Sequence, residues 1–406
     1  MTSQRPSRLA EALDTALSLD LFHRRFAPLF GRREAQRLSQ YYLRRLLTHN
    51  MRHPGPETET VADASPRAVQ RFLSDSPWPT EPVIDALQRE LGQWLNAPDG
   101  SYVVGEIGFP KQGAHSVGVA HQPCGPHGRV GNCQIGIFLA YASSRGHALI
   151  DARLYLPEPW VADSDRRRHA GVPPDLIHRS RPELALDLLR HARARGHLDA
   201  DWVTCRERFG EESTVRDALD ADGWHYLLGV PATTRVRSKR SQHSGSSAAL
   251  ADARSGHAQP AGSNRSLDLT LASQGWHEIT VDLGGLDPWP YHFAVTPVLG
   301  EGHDRSGTAS WLLVRRELDG QDPRYYLSNA PIEMPLTMLA QVTTRRESTA
   351  SLFDTAGSET SAVGLADYEG RSWTGWHHHM ALALLLGAYL LEAESSRLVA
   401  PNDASE

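Results

Sequence analysis

Glu106, Lys111, His115 and Asp151 are the residues whose types best suit proton transfer: two carboxylates, an amine and an imidazole within one stretch of strand-like pattern. Imidazole titrates nearest neutral pH, which makes His115 the candidate base. The competing reading is that these four, with Asn132, Gln134 and His147 on neighbouring strands, are polar strand-end residues satisfied by backbone or water. A second set, His377, His378 and His379, together with His115, His121, Cys124, His127 and Cys133, contains metal-ligand types. Consecutive residues on a helix point in three directions and the Cys spacing matches no zinc pattern, so no metal and no other cofactor is expected. The histidines should instead cap and pack the start of a helix beside Trp373 and Trp376. A third set, Arg166, Arg167, Arg168, Arg179, Arg181, Arg315, Arg316 and the basic run from Thr234 to Arg240, suits phosphate through the planar guanidinium fork. A solvated charged face explains the same arginines equally well. Tyr141 and Trp160 read as core or rim packing, with channel lining as the alternative.

The elements that must position these residues follow from hydrophobic period. Between about residues 8 and 95, apolar residues recur every three or four positions in LAEALDTALSLDLF, EAQRLSQYYLRRLLTHN and EPVIDALQRELGQWL, which predicts helices. From about 100 to 155 the period becomes two: SYVVGEIGF, HSVGVAHQ, CQIGIFLAYAS and HALIDARLYL read as four strands. A helix (PELALDLLRHARARGH), a strand (DWVTC), a helix (STVRDALDADG) and a strand (WHYLLGVP) follow, an alternation that implies a mixed sheet flanked by helices. The Ser/Gly/Ala-rich stretch after Arg240 reads as a mobile loop. Strand patterns return in WHEITVDL, YHFAVTPVL, SWLLVRREL and RYYLSNAP, before the apolar helix WHHHMALALLLGAYLLEAES. The expected divisions are a helical region 1–97, a core 98–235, a flexible loop 236–268, a β-rich insertion 269–345, C-terminal helices 346–395 completing the core, and a disordered tail 396–406.

With 406 residues, 40% of them hydrophobic, the chain is long enough for one large core or several smaller ones. No run of eighteen apolar residues and no signal-peptide pattern is present, so a cytoplasmic protein without membrane association is expected. Three cysteines argue against a disulfide framework. The net charge of −6, from 42 Lys+Arg against 48 Asp+Glu, makes the whole chain a poor trap for nucleic acid, although nearly all its positive charge is arginine.

The block GFPKQGAHSVGVAHQPCGPHGRVGNCQIGIFLAYASSRGHALIDARLYLPEPWVADSDRRRHAGVPPD resembles the core of bacterial insertion-sequence transposases of the DDE superfamily, as do WVTCRERFG, YLLGVPA, WLLVRRELDG, YYLSNAP and GLADYEGRSWTGWHHHMALALLL. The likeness runs from about residue 20 to 395. It implies an RNase H-like mixed sheet flanked by helices, with an N-terminal helical region and a β-rich insertion before the C-terminal helices. It also implies two-metal phosphoryl transfer, in which three carboxylates hold two Mg²⁺ ions about 3.5–4 Å apart.

Each carboxylate position is occupied by another residue. Where the family has a pattern resembling Asp-Glu-Thr-Gly-Phe, this chain has Gly105, Glu106, Ile107, Gly108 and Phe109, so the first ligand position is Gly105. Where the family resembles Val-Thr-Ala-Asp-x-x-Tyr-Gly, the chain has Val203 to Gly210, with Arg206 at the acid. Counting back from Gly364 without gaps places Phe353 at the third, in a pattern resembling Arg-Trp-x-Ile-Glu-Glu-x-Phe. Glu106, Glu207 and Asp354 lie next door, but one step along a strand turns a side chain to the other face and one step along a helix rotates it by about 100°.

The resemblance therefore implies a scaffold that has lost its metal site and does not cut or transfer DNA strands. The expected role is non-cutting DNA binding or regulation, with weak, salt-sensitive binding. The alternative is a metal-independent enzyme whose emptied cleft, with Glu106, Lys111, His115, Asp151, Arg206, Glu207 and Asp354, takes a small or carrier-tethered anionic substrate. A decayed product without a role is the third reading, and the well-kept strand and helix patterns speak against it.

Overall fold

The structure is a computed structural model. It describes residues 18–50, 64–124, 129–205, 207–238, 265–266, 275–282, 288–299, 310–331, 333–354 and 363–399. The basic run beyond Ser238, most of the Ser/Gly-rich loop and the tail lie outside the described residues.

The chain folds onto a mixed sheet. Strand β1 (Ser101–Pro110) lies antiparallel to β3 (Val130–Ser143), whose other side takes the short β2 (Ala120–Pro123) and then β4 (Gly146–Tyr155). On its other flank β1 runs parallel to β5 (Trp202–Cys205), and β5 parallel to β6 (His225–Val230). The order β4-β3-β1-β5-β6, three antiparallel strands beside two parallel ones, is consistent with an RNase H-like fold. The strand expected over His115–Gln122 is a correction: Lys111–Val119 is irregular, and pairing begins only at Ala120. Gly118 sits there at φ 75°, a conformation that ends a ladder.

The β-rich insertion continues the same sheet. Beyond β6 come β12 (Arg324–Ser328), β11 (Ser310–Arg316) and β10 (Trp289–Leu299), with β7 (Arg235–Ser238) and β9 (His277–Val281) pairing to β10 and β8 (Arg265–Ser266) to β7. The period-two pattern buries both faces: Leu313, Phe293 and Tyr326 join one apolar cluster, while Leu312, Val314 and Leu327 join another.

Helices α1 (Arg33–Asn50), α2 (Pro66–Asp75) and α3 (Thr80–Leu95) precede the sheet. Pro66 opens α2 and Ser65 caps it, accepting from Ala68 N. Helix α4 (Arg181–Arg195) crosses back between β4 and β5, and α5 (Ser213–Ala221) joins β5 to β6. Then come α6 (Leu336–Ser348), α7 (Ala350–Asp354) and α8 (Trp373–Val399). Helix α8 is apolar around most of its circumference and packs against β4, α1, α2 and α3 at once, which merges the N-terminal helices and the sheet into one core. No helix among the described residues is long and apolar enough to cross a membrane.

The three consecutive histidines of α8 act separately. His379 Nε2 donates to Leu365 O and so its Nδ1 accepts from the Tyr42 hydroxyl at 2.7 Å; burial pulls its pKa to about 4, so the ring is neutral. His378 stacks on Trp78 and places both nitrogens against carbonyls, Leu73 O at 2.7 Å and Trp78 O at 2.8 Å. Two acceptors favour its protonated form, against burial, which lowers its pKa. His377 turns its Nδ1 to Trp373 O at 2.9 Å.

Candidate functional site

Strands β1 and β5 run side by side with Val104 beside Cys205, so Gly105 is the next residue of β1 beyond that pair. Gly105 is buried, and Phe353 of α7 lies directly over it with 5% exposure. A Cβ built on Gly105 would stand 2.5 Å from Phe353 Cδ1 and 3.0 Å from Cγ, closer than side chains approach. The two positions singled out in separate parts of the sequence thus touch, and each explains the other: glycine leaves the room that the phenyl ring occupies. Leu352 packs against the same core and Asp354 is exposed.

Glu106 engages a different element. It forms an ion pair with Arg181 at 3.0 Å, and Arg181 also donates to Gln122 Oε1 at 3.0 Å and covers the Tyr155 ring. Arg181 is held there by the start of α4, where Ser180 and Glu183 form a reciprocal capping box. Successive strand residues face opposite sides, so Glu106 points away from the face on which a side chain at position 105 would stand.

Arg206 lies outside the described residues, and of Glu207 only the backbone is described, at the start of a short helix Glu207–Gly210. The residue before them, Cys205, offers its carbonyl to Arg346 Nε at 3.0 Å. Arg346 also donates to Glu347 Oε1 at 2.9 Å, while Arg345 pairs with Asp99. Both arginines are buried, at 8% and 6% exposure, on α6, which packs over β1 and β5. Arg346 is thus buried at the end of β5 with Glu347 as its counter-charge, whereas Arg345 reaches Asp99, before the start of β1. Sequence reasoning missed this pair, because Arg345 and Arg346 read as the polar end of a helix until α6 is seen lying on the sheet.

The proposed acid/base set is not gathered. Lys111 donates to Tyr368 O, and burial lowers its pKa. His115 is exposed on the irregular segment before β2. Asp151 on β4 is 1% exposed, bound by Arg153 at 2.8 Å and Arg195 at 3.0 Å. Asn132 and Gln134 donate to backbone, to Lys111 O and Val117 O at 2.6 Å, while the buried Gln134 Oε1 has no partner among the described residues. His147 is partly buried, which lowers its pKa. Tyr141 and Trp160 are core residues, donating to Asp199 O and Val119 O.

Most of the candidate phosphate-binding arginines already have partners. Arg166 stacks on Trp160 and donates to Ala114 O at 2.7 Å; Arg167 ties down the carbonyls of Pro173, Pro174 and Leu176. Arg168 pairs with Asp165 at 3.1 Å and Arg179 with Asp187 at 2.9 Å, both at exposed positions. Arg315 is buried over the Tyr291 ring with Glu347 3.9 Å away, and Arg316 covers Trp276.

Among the described residues no group of three or more His, Cys, Asp or Glu is placed to hold a metal ion. Cys133 is fully buried, which pushes its thiol pKa well above the usual range, away from the thiolate a metal needs. Against known proteins, none of the curated sequences matches the chain. A family model described as DDE superfamily endonuclease matches residues 25–285, more than half of the length, and spans β1, β5 and the helices before them. The chain therefore belongs to the DDE superfamily endonuclease family.

Proposed function

We propose that this protein is a DDE-superfamily descendant that neither cuts nor transfers DNA strands and acts by binding, with DNA as its partner in a weak, salt-sensitive complex. The observation that carries this reading is the Gly105–Phe353 contact: a phenyl ring fills the space in which a carboxylate on β1 would meet a carboxylate on the helix. A divalent ion needs hard oxygen ligands. Gly105 and Phe353 offer none, and the Cys205 carbonyl at the end of β5 is taken by the buried Arg346. Vacated positions at Gly105, Arg206 and Phe353 account for the chain better than a slipped alignment, because Glu106 has its own partner in Arg181.

A repurposed acid/base enzyme in the emptied cleft has less support. The ring occupies the space at Gly105, Glu106, Lys111 and Asp151 each have their own partners, and His115 is exposed. The test of the binding role is a titration of the full chain onto short duplex DNA across a salt series. Weak binding at low salt that is lost as salt rises is expected, with a slope set by the number of phosphates contacted. No binding at low salt would remove DNA as the partner.

A further inference from the structure

A cavity of about 600 Å³ opens at the β4 edge of the sheet, between the start of α3, the loop before α4, and α8. Neither Gly105 nor Phe353 lines it, so it is separate from the family's site. Its size falls in the range of small-molecule pockets. One wall is apolar and partly aromatic: Trp78, Ile84, Leu184, Trp373, Met380 and Leu384.

The polar lining is unbalanced. It holds four carboxylates, Glu81, Asp151, Asp175 and Asp187, against two guanidiniums, Arg153 and Arg179. Both guanidiniums are engaged: Arg153 with Asp151 at 2.8 Å, Glu81 at 3.3 Å and Asp187 at 3.6 Å, and Arg179 with Asp187 at 2.9 Å. Arg195, which pairs with Asp151 and Glu81, still leaves the group one carboxylate in excess. Asp175 is exposed at the rim and makes no hydrogen bond or ion pair among the described residues.

His377 also lines the cavity. Its Nδ1 faces Trp373 O, an acceptor only, so Nδ1 carries the hydrogen and Nε2 the lone pair. Nε2 has no hydrogen-bond partner among the described residues. Burial, with Arg153 nearby, lowers the pKa of this ring to about 4, so it stays an acceptor at neutral pH. Apart from Trp78 Nε1, a donor without a partner among the described residues, the lining offers acceptors and excess negative charge, with no guanidinium left over for an anion.

We propose that this cavity binds a small molecule with a ring-sized apolar body and a primary ammonium group, the body against the Trp78–Leu384 wall and the ammonium among Glu81, Asp175, Asp187 and His377. Charge complementarity then sets the selectivity, because an anion of the same shape would add to the one carboxylate in excess.

Phenethylamine and phenylacetate are suitable probes, since they share a ring and differ in the sign of the charge. Isothermal titration of the full chain should show phenethylamine binding at least tenfold more tightly than phenylacetate. Ala381→Trp, which fills the cavity, should abolish the phenethylamine signal. Asp175→Lys, at an exposed position that leaves the fold intact, should weaken it severalfold and narrow the gap between the probes, and it decides the matter if Ala381→Trp does not fold. Equal or tighter binding of phenylacetate, no phenethylamine heat at millimolar concentration, or a phenethylamine signal unchanged in Asp175→Lys would each overturn the proposal.

Discussion

Gly105→Asp, which returns a carboxylate to the end of β1, is expected to destabilise the protein by about 3 kcal/mol or more. Two costs add. The new Cβ would meet the Phe353 ring at 2.5 Å from Cδ1, and overpacking of this kind costs about 1–3 kcal/mol. The carboxylate would then sit in a buried place beside a phenyl ring, and an unpaired buried charge costs several kcal/mol or forces protonation. Phe353→Ala alone should cost about 3–5 kcal/mol by leaving a cavity. The double substitution Gly105→Asp, Phe353→Ala should cost clearly less than the sum, because the smaller residue frees the space that the aspartate needs. Denaturant midpoints of the three variants measure this. Strict additivity would mean that the two residues do not share the space described.

Loss of Asp151 should be of similar size. Asp151→Ala removes a carboxylate that is 1% exposed and leaves Arg153 and Arg195, both largely buried, without the buried one of their two common partners. Breaking a buried ion pair from one side costs about 3–5 kcal/mol, since the remaining charge stays desolvated. Glu81 and Asp187 contact these arginines too, so the lower part of that range is expected. Equilibrium unfolding of Asp151→Ala against the parent chain is the check. A loss below about 1 kcal/mol would show that the cluster is solvated rather than a buried tie between β4 and α4.

Asp151 also illustrates what a linear reading conveys and what it does not. The alternation in HALIDARLYL places Asp151 and Arg153 on one strand with the same facing, as found. Their partners, Glu81, Asp187 and Arg195, come from helices far away in the chain, and only tertiary packing brings them to β4. The core strands, the crossover helix and the apolar C-terminal helix were legible because their periods of two and of three to four are local properties. The irregular run Lys111–Val119 was not: its apolar alternation imitates a strand, but Gly118 at φ 75° and the bond from Val117 N to Arg371 O draw the backbone away from the ladder.

The candidate site divides in the same way. Gly105 and Phe353 were identified by position within two motifs, and their contact in space is something no spacing rule conveys. Arg345 and Arg346 escaped notice because charged residues at a helix end are usually solvated, whereas here α6 lays them on the sheet. His377 was grouped with its two neighbours as one question, yet each histidine answers to a different part of the fold.

The central claim, that the family's metal site has been replaced by packing, is tested most directly by incubating the purified chain with supercoiled plasmid in Mg²⁺ and in Mn²⁺, beside a metal-free control and the Glu106→Ala variant. The account predicts no nicked or linear product above the control with either metal, for either chain. Metal-dependent nicking by the parent chain that disappears in Glu106→Ala would contradict it, and would make Glu106 a working ligand rather than the partner of Arg181.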